Sequence, residues 1–164
     1  VKEADVMVDI VLARIDDRLI HGQIMASWVL HTQAQKIIIV DDEVSNDVFL
    51  SKVIKMAAPP GIKVEIYSIK GAIHVLKEKF VDKEKVILLV KSPSTMYSLI
   101  EGGVKLKEIN IGGMSAGPGK KILVKNIFVS LEEKEILKNI LTKGIPVYLQ
   151  TLPDDPKLKI DKYL

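Results

Sequence analysis

The sequence predicts an α/β fold: an open, mostly parallel sheet with helices on both faces, in three layers. Three observations predict it. Short β-rich runs alternate with longer helical patterns along the chain. Two of those runs, KIIIV at 36–40 and KVILLV at 85–90, are apolar on both strand faces, as in strands covered on each side. Pro59-Pro60-Gly61, Gly102-Gly103 and Gly144 stop the helical patterns.

The elements follow in order. Residues 8–14 (VDIVLAR) read as a strand, and 21–31 as a helix on the spacing of Ile24, Trp28 and His31. The strand 36–40 ends at Asp41-Asp42. Residues 46–58 read as one helix with Val48, Phe49, Val53, Ile54 and Met56 near one face. A third strand is 63–68, and Ile73, Leu76 and Phe80 mark the stripe of the next helix. The strand 85–90 precedes a helix opened by Pro93. Residues 108–111 form a short fifth strand, followed by a Gly-rich segment, 112–119, in which Gly112-Gly113 reads as a tight turn or as part of a site. A short strand falls around 122–129. Ser130 and Glu133 have capping-box spacing and open a helix to about Lys143. Residues 147–150 are a last strand, and the tail after Pro153 shows no period. Residues 1–6 read as a tail or linker and 7–164 as a single domain, with Met7 a plausible start.

Composition narrows the function classes. The chain has 164 residues, enough to bury a sizeable core, and 48% of them are hydrophobic. It has no cysteine, which removes disulfides and thiolate metal sites and fits a reducing compartment. Its three histidines lack ligand spacing, so no metal is expected. No apolar run approaches the about 20 residues of a membrane helix, and the first ten residues carry three acids, unlike a secretory leader. The expected location is the cytoplasm. The net charge of +3 is spread along the chain with only 5% aromatics, which argues against nucleic acid. GGMSAGPGKK lacks phosphate-loop spacing, and no G-x-G-x-x-G follows the first strand, so no nucleotide cofactor is expected.

Open parallel sheets bind ligands beyond the carboxyl ends of their strands. The loop after the first strand is the richest there, with Arg14, Asp16, Asp17, Arg18 and His21 within eight residues. Imidazole is a nucleophile near neutral pH. Once phosphorylated it carries about two negative charges, which arginine meets with paired hydrogen bonds. His21 also stands where a helix begins, so first-turn N–H groups favour an anion there, and Gly22 lets the backbone approach it. Asp16 would orient an arginine or the imidazole. The same loop also reads as a surface ion-pair network of little consequence. His31 reads as a helix-end residue, His74 as solvated, and Met25, Met56 and Met96 as core filling.

The segment LARIDDRLIHGQ at 12–23 resembles the signature of the IIB subunits of mannose/fructose/sorbose-type sugar phosphotransferase systems. The resemblance continues through IIIVDDEVSND, MAAPPGIKV and NIGGM, from Met7 to about Val147. It implies a phosphocarrier with the activity of a protein-N(π)-phosphohistidine–sugar phosphotransferase. His21 would accept a phosphoryl group from a phosphohistidine on a IIA protein or domain. It would pass the group to a sugar held by membrane IIC/IID subunits, leaving the chain cytoplasmic and peripheral to the inner membrane through those partners. Arg14, Arg18 and Gly22 would stabilise the phosphate, with Asp16 and Gln23 orienting or facing partners. The chain departs from the family pattern at Ser27, Leu50, Thr95 and Gly117, which bears on partner choice. Two rival readings are a receiver-like signalling domain, which lacks its acid because the third strand ends at Tyr67-Ser68, and a non-catalytic interaction module.

Overall fold

In a computed structural model that describes residues 8–77 and 84–164, seven strands form one sheet in the order β3-β2-β4-β1-β5-β8-β9. The expected tail at 1–6, Met7 and the stripe residue Phe80 lie outside the described residues. Along the chain the elements are β1 (Asp9–Asp16), α1 (Gly22–Thr32), β2 (Lys36–Val40), α2 (Asp42–Asn46), α3 (Val48–Met56), β3 (Lys63–Tyr67), α4 (Ile69–Lys77) and β4 (Lys85–Val90). Then come α5 (Pro93–Glu101), β5 (Ile109–Gly113), β6 (Lys121–Val124), β7 (Ile127–Val129), α6 (Leu131–Thr142), β8 (Val147–Leu149) and β9 (Leu158–Lys159). All pairs in this sheet are parallel except β8–β9. The carboxyl ends of β1 to β5 and β8 therefore share one edge.

Helices cover both faces, as the two-sided apolar strands require. Ile38, Leu88 and Ile111 point to one core, closed by Ala72 and Leu76 of α4, Met96 and Leu99 of α5, and Leu137 and Ile140 of α6. Ile37, Ile39, Ile87 and Leu89 point to the other, closed by Met25 and Trp28 of α1 and Val44 of α2. Successive side chains of a strand alternate between faces, so one apolar run feeds two cores.

The local signals hold at several boundaries. Ser92 accepts the Thr95 N–H in front of Pro93. Ser130 and Glu133 form both arms of a capping box at α6. Four expectations change. The helix expected at 46–58 is α3 alone, at 48–56, with a separate short helix α2 before it: Asp47 is extended (φ −107°) and its carboxylate caps the Leu50 N–H, which ends α2 and starts α3. The apolar face of α3 points outward: Val48, Phe49 and Met56 are 73%, 78% and 85% exposed, so Met56 fills no core. Gly112 and Gly113 are the last residues of β5, not a turn. The strand expected at 122–129 is an antiparallel hairpin of β6 and β7, and the tail after Pro153 adds the antiparallel edge strand β9.

Ile54 of the α3 stripe packs partly against the second core, but Phe49 and Met56 are exposed and contribute little to folding. Phe49→Ser and Met56→Ser are expected to change the unfolding free energy by less than about 0.5 kcal/mol each, measured by urea denaturation. A loss of several kcal/mol would show that the stripe is packed in solution.

Candidate functional site

Arg14 and Asp16 lie two residues apart on β1 and so face the same side of the sheet. Both are buried, at 0% and 1% exposure. A buried guanidinium needs acceptors, and four surround this one. Its Nη1 donates to Asn110 Oδ1 at 2.6 Å and to the Gln150 carbonyl at 3.0 Å. Its Nη2 donates to Asp16 Oδ2 at 3.2 Å and to the Thr151 carbonyl at 3.3 Å. The Trp28 ring lies 5.5 Å away, a cation–π distance, and its indole N–H also bonds Thr151 O at 2.9 Å. Burial pulls the Arg14 guanidinium below its ordinary pKa, and the Asp16 carboxylate opposes that pull. Arg14 Nε is buried without a hydrogen-bond partner among the described residues.

Asp16 joins this buried charge to the surface. The register of β1 on β5 slips after Ile15, which sets Asp16 opposite Gly113. The chain then doubles back: Leu19, at φ 56°, donates its N–H to Asp16 O at 2.9 Å and is itself buried. That turn folds Arg18 over the Asp16 carboxylate. Oδ1 accepts the Arg18 backbone N–H at 3.1 Å and Nε at 2.9 Å, and Oδ2 accepts Nη2 at 2.9 Å. These paired bonds raise the Arg18 pKa further. The Arg18 side chain stays 36% exposed, and among the described residues its Nη1 has no partner.

His21 is exposed at the head of α1, and its imidazole makes no hydrogen bond among the described residues. The first helical bond runs from the Met25 N–H to His21 O. The N–H groups of residues 22–24 thus have no acceptor within the helix and face solvent with the positive end of its dipole. Gly22 has φ +29°, and a Cβ there would meet nothing within 4 Å. Glycine is needed there for the backbone angle rather than for room. Gln23 is exposed beside it.

One expectation is corrected. Arg14 was expected to meet a phosphoryl group directly, but its side chain is sealed in the core with both terminal nitrogens turned to Asn110, Asp16, Gln150 and Thr151. It fixes Asp16 from behind. The sequence reading also missed several participants. Asn110 is the one polar side chain in the strand INIGG and so carried a visible signal, whereas Gln150, just after β8, reaches Arg14 only through its carbonyl. Thr151 acts through its carbonyl and carried none. Asp17 accepts the N–H and Oγ of Ser115, at 2.7 and 3.0 Å, and ties this loop to the segment after β5. Of the family departures, Leu50 and Gly117 are exposed and Ser27 and Thr95 are half-buried. No cluster among the described residues has the acids, histidines or cysteines to hold a metal ion.

With this geometry in hand, the chain is similar to proteins of one kind. Residues 10–164 match the family model for the sorbose subfamily IIB component of the phosphotransferase system. The chain is 39% identical over 151 residues to the mannose-specific EIIAB component of Escherichia coli, an alignment covering 91% of this chain. It spans about half of that relative, 46% of its length. It is 36% identical to the sorbose-specific EIIB component of Klebsiella pneumoniae, with 92% of each chain covered. The crystal structure of the IIBSor domain of the sorbose permease from Klebsiella pneumoniae superposes with a TM-score of 0.90 at 35% identity, covering 95% of this chain and 96% of that one.

The arrangement predicts how stability depends on it. Asp16→Ala leaves the Arg14 charge buried without its carboxylate, and such a loss costs about 3 kcal/mol or more. Thermal and urea unfolding of this variant are expected to show that loss. A variant as stable as the parent would mean that the neutral acceptors around Arg14 suffice.

Proposed function

The chain belongs to the sorbose subfamily of phosphotransferase-system IIB components, and on that premise we propose that His21 is its phosphate carrier. Components of this subfamily accept a phosphoryl group from a IIA protein and pass it to a sugar. The observation that carries the assignment is an exposed imidazole at the first turn of α1, without a hydrogen-bond partner among the described residues and three residues from an arginine that Asp16 holds in place.

The chemistry follows from those groups. A ring nitrogen of His21 attacks the phosphorus of a IIA phosphohistidine. A new N–P bond forms as the donor N–P bond breaks, and the electron pair returns to the donor ring. In the second transfer a sugar hydroxyl oxygen, the sugar being bound by the membrane IIC/IID subunits, attacks phosphorus: an O–P bond forms as the His21 N–P bond breaks, its electron pair returns to the ring, and the hydroxyl proton ends on the freed imidazole. Phosphoryl transfer depends mainly on positioning and on offsetting charge over the equatorial oxygens. Arg18 supplies that charge through Nη1, while its Nε and Nη2 stay on Asp16. The first-turn N–H groups beyond Gly22 supply more. Arg14 acts at one remove by holding Asp16, and Gln23 lies where either partner would touch it.

One imidazole has to face donor and acceptor in turn, so the two partners use overlapping surfaces around this loop. The encounters are brief, with little buried area. On this reading the chain works at the cytoplasmic side of the membrane, held there by its partners. Among the described residues no helix is long and apolar enough to cross a membrane.

The test is transfer from phosphorylated IIA protein in a single turnover. The parent is expected to take up phosphate that mild acid releases, and His21→Ala to take up none. Base-labile, acid-stable phosphate would point to a carboxylate and sink the assignment. Arg18→Ala is expected to slow transfer at least about tenfold, or 1.4 kcal/mol of barrier, with Arg18→Lys intermediate because it keeps the charge and loses the planar fork. Both should melt within a few degrees of the parent, since Arg18 is partly exposed.

A further inference from the structure

From the packing of β5 against the first loop, we infer that Gly113 is a positioning residue for phosphoryl transfer, because a bare backbone there lets Arg18 lie flat on Asp16. The inference rests on the role given to Arg18 above. Gly113 does not have the left-handed backbone that favours glycine. Its lack of a side chain therefore serves space, not conformation. A Cβ at this position would stand 2.9 Å from Asp16 Oδ1 and 3.1 Å from both Nε and Nη2 of Arg18.

The direction of the relief is set by what can move. Asp16 is 1% exposed and holds four donors from Arg14 and Arg18. The Gly113 carbonyl is itself bound by the Asp17 N–H at 3.2 Å. Arg18 is the long, partly exposed neighbour and gives most, and a shift of a few tenths of an ångström loosens its paired bonds to the carboxylate. Gly112 is a contrasting case one residue earlier. A Cβ there would overlap the guanidinium of Arg14, which is walled in on every side. Gly112→Ala should therefore damage the fold, whereas Gly113→Ala should damage the site.

The experiment is a double-mutant cycle on Gly113→Ala and Arg18→Ala, with single-turnover transfer from phosphorylated IIA protein and thermal melts of all four proteins. Gly113→Ala is expected to slow transfer about tenfold and the double variant to be no slower than Arg18→Ala alone, since the two changes act through one side chain. A nuclear magnetic resonance arm needs no phosphoryl donor. The Arg18 Nε–H signal, shielded from solvent exchange in the parent by Asp16, should lose that protection in Gly113→Ala. Parent-like transfer and protection in Gly113→Ala would overturn the inference, and so would slowing that adds fully to that of Arg18→Ala. If Gly113→Ala melts early, recovery in the double variant supports the clash with Arg18, and equal loss in both shows a packing role and overturns it. Lost protection in Gly113→Ala, alongside a parent that accepts no phosphate, would uphold the placement and defeat the function instead.

Discussion

The guanidinium of Arg14, taken fully out of water, sets the terms for everything around the site. A buried cation is tolerable only with good partners, and these come from distant parts of the chain: Asp16 from β1, Asn110 from β5, and the carbonyls of Gln150 and Thr151 after β8. Trp28 of α1 covers it. Gly112 supplies the clearance without which β5 would collide with it. One side chain thereby ties together two neighbouring strands, the segment beyond a third, and the helix that begins at His21.

Charge is handed outward from that point in two steps. Asp16 neutralises Arg14 on one side and grips Arg18 on the other, so a partly exposed arginine inherits the rigidity of the core. Among the described residues the His21 imidazole has no hydrogen bond to hold it. On the role proposed above, a fixed cation three residues from an untethered imidazole suits a group that receives a phosphoryl unit from one protein and presents it to another. Catalysis of this kind gains from donors that are already in place when charge develops.

Much of this was legible in the chain itself. Alternating apolar strands and helical patterns determined the three-layer fold, because period and two-sided burial are local properties. The capping box at Ser130 and Glu133 is written within four residues. The cluster Arg14, Asp16, Arg18 and His21 was visible because the parallel sheet brings strand ends to one edge. Periodicity failed at α3: it says which residues share a face, but not whether anything lies opposite that face. Val48, Phe49 and Met56 share one, and they point to solvent.

The sequence by itself therefore determined the fold class and the chemical groups at the site. Only the tertiary structure decided their division of labour. Arg14 and Arg18 are the same residue type four positions apart in one short run of sequence, and nothing local tells them apart. Burial does so, because Arg14 lies on a central strand between two parallel neighbours, while Arg18 follows the turn at Leu19 that carries the chain back over Asp16 to the surface. Apart from Asp16, the partners that make this burial tolerable are 96 to 137 residues away in sequence. No short-range pattern encodes such contacts; they exist only once the sheet has closed.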